Sequence, residues 1–253
     1  MASSSPSTPA TSPATDDDDD AATFAARVRD ACARHGVTLT PYTPEDEAFV
    51  RSKAAGGKKL DVRVRILGVA ARHARTNAPS VLLCYPLRVM HDVERSRLKG
   101  FSTRKWCASD APSPWANALW LTCAEAMRRV GRLEHLGRIR RFQDRINSDE
   151  ASRAKFAAQH RRFAEMRWEL LTERDRAMCE DAGGEYVDAL KIRGIGGYHS
   201  DAQVKCLHVH YAHYLATGGD NVVGAWVQEL LDEDEDVEAA KEQSELQQRS
   251  RAS

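Results

Sequence analysis

The sequence predicts a helix-dominated α+β fold, with a small antiparallel sheet of about three strands packed with a long helical hairpin and two C-terminal helices. Three observations predict it. Val62, Val64 and Ile66 alternate with charged residues, and a Val- and Leu-rich run from Ser80 to Val89 follows after a short gap. A third, shorter apolar run spans Asn117 to Thr122. From Met127 onward, apolar residues recur every three or four positions, which is the period of an amphipathic helix.

Each element has a local cause. Phe24, Val28 and Cys32 stand four residues apart and stop at Gly36, which predicts a short helix over 22–35. Thr43-Pro44-Glu45-Asp46 is a helix start, with a capping hydroxyl, a first-turn proline, and carboxylates at the positive end of the dipole; Gly56-Gly57 ends that segment. The first two strands are joined by a turn around Thr76 to Pro79, and residues 91–115, with Trp106 and Cys107, form a polar connection. Met127, Val130, Leu133, Leu136, Ile139, Phe142 and Ile146 define one long helix. Asn147 with Glu150 resembles a cap, and Phe156, His160, Phe163, Met166 and Leu170 define a second helix folding back on the first. Gly194 to Gly197 is a loop. Ser200 or Asp201 caps a further helix through Leu215, Gly218-Gly219 breaks it, and Val222 to Leu231 forms the last.

The 37 basic and 37 acidic residues cancel, but unevenly. Residues 1–20 hold five aspartates (Asp16 to Asp20) and no base, and residues 232–253 hold eight acids and three bases. Removing both tails leaves 34 bases against 24 acids over 21–231, a net of +10. The expected organisation is a Ser/Pro/Asp-rich disordered tail over 1–21, one globular domain over 22–231, and an acidic tail over 232–253. No apolar run reaches the roughly 18 residues of a membrane span. Six scattered cysteines do not make a disulfide scaffold, and neither a secretory signal nor an Arg-rich transit peptide is present. The expected location is the cytoplasm.

The densest group of ligand-type side chains is Cys206-Leu207-His208-Val209-His210, followed by His213. On a helix, Cys206, His210 and His213 share one side, and a Cys/His pair one turn apart suits zinc. Leu119 to Cys123, Arg132-Leu133-Glu134, and Val204 to His213 resemble the signature segments of the domain of unknown function 501 family. Leu67 to Arg72 resembles its early strand and Val223 to Val227 its C-terminal end. The family has no established activity. The resemblance implies cysteines after the early Val-Ala-Ala-Arg strand, after Trp-Leu-Thr, and in the Cys-x-His-x-His segment. Here the second is Cys123 and the third Cys206, whereas His73 stands at the first. A Cys-to-His exchange abolishes a thiol but preserves a zinc ligand. The expected ligand set is therefore some four of His73, Cys123, Cys206, His208 and His210, in a zinc-stabilised binding or structural domain.

Two other readings compete. In the first, Arg128, Arg129, Arg132, Arg138, Arg140, Arg141 and Arg145 crowd one helix and form a face for RNA, DNA or polyphosphate, screened by the acidic tails. In the second, the Cys/His group is the centre of an enzyme, as a thiolate with a neighbouring base or as a metal with an open position. Glu134 reads as an i+4 partner of Arg138, and no phosphate loop, nucleophile elbow or His-Glu-x-x-His pair occurs.

Overall fold

The sheet is organised by one strand. In the computed structural model, which describes residues 21–52, 60, 64–88, 112–198 and 203–234, strand β2 (Pro79–Arg88) pairs antiparallel with β1 (Val64–Arg72) along one edge. Its other edge is shared between β3 (Ser113–Pro114), opposite Leu87 and Arg88, and β4 (Leu119–Leu121), opposite Val81 to Leu83. The two-residue β3 raises the count to four among the described residues. The β1–β2 turn lies where expected, with Asn77 in the left-handed region at φ 55° and the His73 N–H donating to Ala78 O at 2.8 Å.

Both faces of β2 are covered, which explains its unbroken apolar sequence. Val81, Leu83, Tyr85 and Leu87 enter the main core, while Leu82 and Cys84 enter a smaller cluster with Val50, Leu60, Val64 and Val69. Helix α2 (Pro44–Arg51) covers the second face. Its start is a reciprocal capping box, Asp46 N to Thr43 Oγ1 at 3.2 Å and Thr43 N to Asp46 Oδ2 at 3.1 Å. Arg72 of β1 grips the same carboxylate at 2.7 and 2.9 Å and holds it below the ordinary aspartate range.

The remaining helices close over the main core: α1 (Ala21–Arg34), α3 (Ala124–His135), α4 (Arg138–Ser148), α5 (Glu150–Glu169), α6 (Glu173–Ala182), α7 (Gly184–Val187), α8 (Leu207–Ala216) and α9 over 222–234. Helix α7 runs into a single π turn (Asp188–Ile192), and a 3-10 turn (Ile195–Gly197) follows. No helix among the described residues is long and apolar enough to cross a membrane.

Three sequence expectations need correction. The long helix through Met127 to Ile146 is two, because Gly137 takes a left-handed φ of 74° and breaks the chain between α3 and α4 while the apolar spacing continues across it. The cap of α5 is Asp149, whose carboxylate accepts from Ser152 N at 3.1 Å; Asn147 remains inside α4. The helix expected from Ser200 or Asp201 begins at Leu207, since residues 203–206 form no regular element and Cys206 is extended. Ser200, Asp201, Gly56-Gly57, Trp106, Cys107 and the Asp16–Asp20 run lie outside the described residues.

One buried side chain joins three separate parts of the core. Arg167 of α5 is fully buried, and its guanidinium donates to Leu190 O at 2.9 Å, Ala116 O at 3.0 Å and Arg193 O. Burial, and then the charge of Arg193, push it down to about 9. This one side chain ties α5, the π turn and the segment leading into β4 together.

Candidate metal centre

Helix α8 begins without a cap of its own. Cys206 occupies the N-cap position in an extended conformation (φ −147°, ψ 124°), and its side chain makes no cap hydrogen bond. Glu134, near the end of α3, replaces it: its Oε1 accepts the Leu207 N–H at 2.7 Å. The stretch before it is fastened to α4, with Val204 N donating to Gln143 Oε1 at 2.8 Å. Three elements thereby bring Glu134, Cys206 and His208 to one point.

The three donor atoms lie within 4.8 Å of one another, and this is the group of three or more potential ligands found among the described residues. His208 Nδ1 stands 3.7 Å from Cys206 Sγ and 3.1 Å from Glu134 Oε1, while Nε2 meets Met127 O at 3.0 Å. A carbonyl can only accept, so Nε2 carries a proton and Nδ1 is the atom turned toward the sulfur and the carboxylate. The ring passes over Gly131, where a Cβ would stand 3.8 Å from Nε2. Cys206 and Glu134, facing Nδ1, push the imidazole up to about 10. For Glu134, burial opposes ionisation, but the hydrogen bonds from His208 and Leu207 outweigh it and hold the carboxyl below its ordinary value.

The sequence-predicted ligands fall into three places. Cys206 and His208 belong to this cluster. His73 and Cys123 line a separate cavity of about 310 Å³ with Arg129 and Tyr211. His210 is fully buried on the opposite side of α8, its ring centroid 5.3 Å from Phe156 and 5.7 Å from His160. Cys206 therefore does not share a helical side with His210 and His213, because it precedes the first turn. Burial, then the neighbouring His160 and His213, push His210 well below its ordinary value.

Glu134 is the residue that sequence reasoning missed. It does not project along a continuous helix toward Arg138, since Gly137 intervenes. The available signal was its place in the Arg132-Leu133-Glu134 segment, one of the few segments that came paired with the Cys-x-His run.

The seven arginines occupy two helices. Arg128, Arg132, Arg140, Arg141 and Arg145 are exposed, whereas Arg129 is half-buried and donates to Leu231 O at the end of α9. Arg138, Arg141 and Arg145 line a cavity of about 650 Å³, which Asp144, Glu229 and Glu233 also line. Arg145 lies 4.1 Å over the Trp226 ring and 3.9 Å from Glu229. The basic face is punctuated by acids and partly committed to internal contacts.

These features define a helix-dominated α+β domain with a half-buried Glu/Cys/His cluster at the start of its penultimate helix. The family model described as Protein of unknown function (DUF501) matches residues 70–229, so the chain belongs to that family. The matched span contains β2 to α8 and every candidate ligand, and leaves out α1 and α2. No curated protein and no solved structure matches the chain.

Proposed function

We propose that the protein is a metal-binding domain whose centre is Glu134, Cys206 and His208, with zinc the best-suited ion. The observation that carries this reading is the spacing of the donors. Around a tetrahedral zinc, ligand bonds of about 2.3 Å to sulfur and about 2.0–2.1 Å to nitrogen or oxygen put S and N roughly 3.6 Å apart, and N and O roughly 3.3 Å apart. The separations of 3.7 and 3.1 Å are close to both. The Met127 carbonyl on the distal nitrogen is the outer contact that orients a ligating imidazole. A thiolate, an imidazole and one carboxylate favour zinc over the hard cations, which seek oxygen alone.

Three protein ligands leave a fourth position for an exogenous donor, as in open rather than closed zinc sites. That supports a binding or reactive centre more than a purely structural staple. The test is titration of the chelator-stripped full chain with zinc, following the bound metal per chain. The expected result is one equivalent, lost in Cys206→Ser and His208→Ala and kept in His73→Ala and Cys123→Ser. Retention by the first pair would refute the assignment.

A further inference from the structure

We infer that the metal centre opens on a cavity that selects small, uncharged, apolar oxygen donors and rejects carboxylates and phosphates; this rests on the metal reading above. A cavity of about 250 Å³ has Cys206 and His208 in its wall. Glu134 does not line it, so the cavity meets the cluster along the Cys206–His208 edge. Strand β4 supplies Leu119, Trp120 and Leu121, helix α3 supplies Met127, and Val209 stands next to His208 on α8. Asn117 completes the lining, and among the described residues no acidic or basic side chain outside the cluster belongs to it. With roughly 30 Å³ per water-sized group, the volume suits a molecule of about eight non-hydrogen atoms.

Charge decides what fits. A ligating cysteine is a thiolate, a ligating glutamate a carboxylate, and a ligating imidazole is neutral. Cys206, Glu134 and His208 therefore offset a divalent ion completely, and the loaded centre has no net charge to attract an anion. The rest of the cavity wall has none either. A carboxylate or phosphate entering it would leave water without gaining an opposite charge, which is the costly case of burying an ion. A hydroxyl or carbonyl oxygen keeps both centre and ligand neutral, puts a lone pair on the ion, and leaves its hydrocarbon body against the apolar wall. Trp120 in that wall is braced by Trp115, with ring centroids 5.3 Å apart, so the surface met by the ligand is a supported aromatic one.

The experiment uses the full chain loaded with cobalt(II), whose visible bands report coordination and whose near-ultraviolet sulfur-to-metal absorption reports Cys206. Benzyl alcohol, which fits the volume, is the probe, with benzoate as its anionic counterpart and ethanol as the alcohol that leaves the wall unfilled. The expected result is a saturable change in the visible bands with benzyl alcohol, the sulfur absorption being retained. Its affinity should exceed that of benzoate, and that of ethanol, by about tenfold or more. Val209→Lys places a cation at the half-buried position beside His208 and should shift the preference toward benzoate by about tenfold, with cobalt affinity within about threefold. Benzoate binding as tightly as benzyl alcohol, no response to benzyl alcohol, or an unchanged preference in cobalt-loaded Val209→Lys overturns the inference and leaves the metal centre standing. The wild-type comparison decides the matter even where Val209→Lys does not load cobalt. Failure of the wild-type chain to develop the sulfur absorption overturns both.

Discussion

His208 and His210 are two residues apart on one helix and have opposite surroundings. The His208 ring is half-buried between a thiol and a carboxylate that stabilise its charge. The His210 ring is sealed among Phe156, His160 and His213, where burial suppresses charge. Successive positions of an α-helix turn by about 100°, so a two-residue step turns a side chain to nearly the opposite side. A Cys-x-His-x-His string at the start of a helix therefore cannot deliver all three side chains to one ion. What makes one face a candidate site and the other a core is the neighbouring helix, α3 with its Glu134 or α5 with its Phe156.

The comparison can be broken most severely on the inner face. Gly224 of α9 packs so closely on α8 that a Cβ would meet the His210 carbonyl at 2.7 Å and the Tyr214 Cβ at 2.3 Å. Gly224→Val is expected to cost roughly 3 kcal/mol or more by overpacking, read as a fall in the urea midpoint. An unchanged midpoint would show that α8 and α9 are not in this contact.

Acid should act next. Asn221, whose Oδ1 accepts from Gly224 N at 2.7 Å, turns its amide nitrogen toward His213 Nδ1 at 3.3 Å. Burial lowers His213 from its ordinary 6.5 to about 4. Between those values the unfolded chain takes up a proton that the folded chain refuses, so stability falls as pH falls and this contribution is flat above about 6.5. The expected slope is about 1 kcal/mol per pH unit for this group. Denaturant titrations of wild type and His213→Leu at pH 7 and 5 should differ in that slope; parallel lines would contradict a neutral, buried His213.

The outer face should respond more gently. Glu134→Gln keeps an acceptor for Leu207 N but removes a carboxylate ligand, and is expected to weaken zinc about tenfold or more while costing about 1 kcal/mol of stability. Competition with a chromophoric chelator measures the first effect and thermal unfolding of the stripped protein the second. His210→Phe should leave zinc affinity within about threefold, since it exchanges one aromatic core residue for another. A hundredfold loss there would erase the distinction between the two faces.

Much of this was legible in the sequence, for physical reasons that also mark where reading stopped. The hairpin, the capping hydroxyl of Thr43 and the α5 stripe from Phe156 to Leu170 depend on local spacing and stand where the sequence puts them, whereas the reciprocal bond from Thr43 N to Asp46 appears only in the structure. Cys206 and His208 stand out in the sequence as candidates because their residue types are rare and close together. Glu134 was misassigned because a glycine in the left-handed region leaves the apolar period intact on either side of it. Nothing in the local sequence marks Arg167, since the three carbonyls it holds come from residues 116, 190 and 193. No local pattern encodes a convergence of that kind.

The central claim is that the metal is held by one sulfur, from Cys206, and not by the wider set that includes Cys123. X-ray absorption at the zinc edge of the metal-loaded full chain counts sulfur neighbours directly. The account predicts one sulfur at about 2.3 Å, with nitrogen and oxygen neighbours at about 2.0–2.2 Å completing a four-coordinate shell. Two or more sulfurs per zinc, or a shell of light atoms alone, would contradict it.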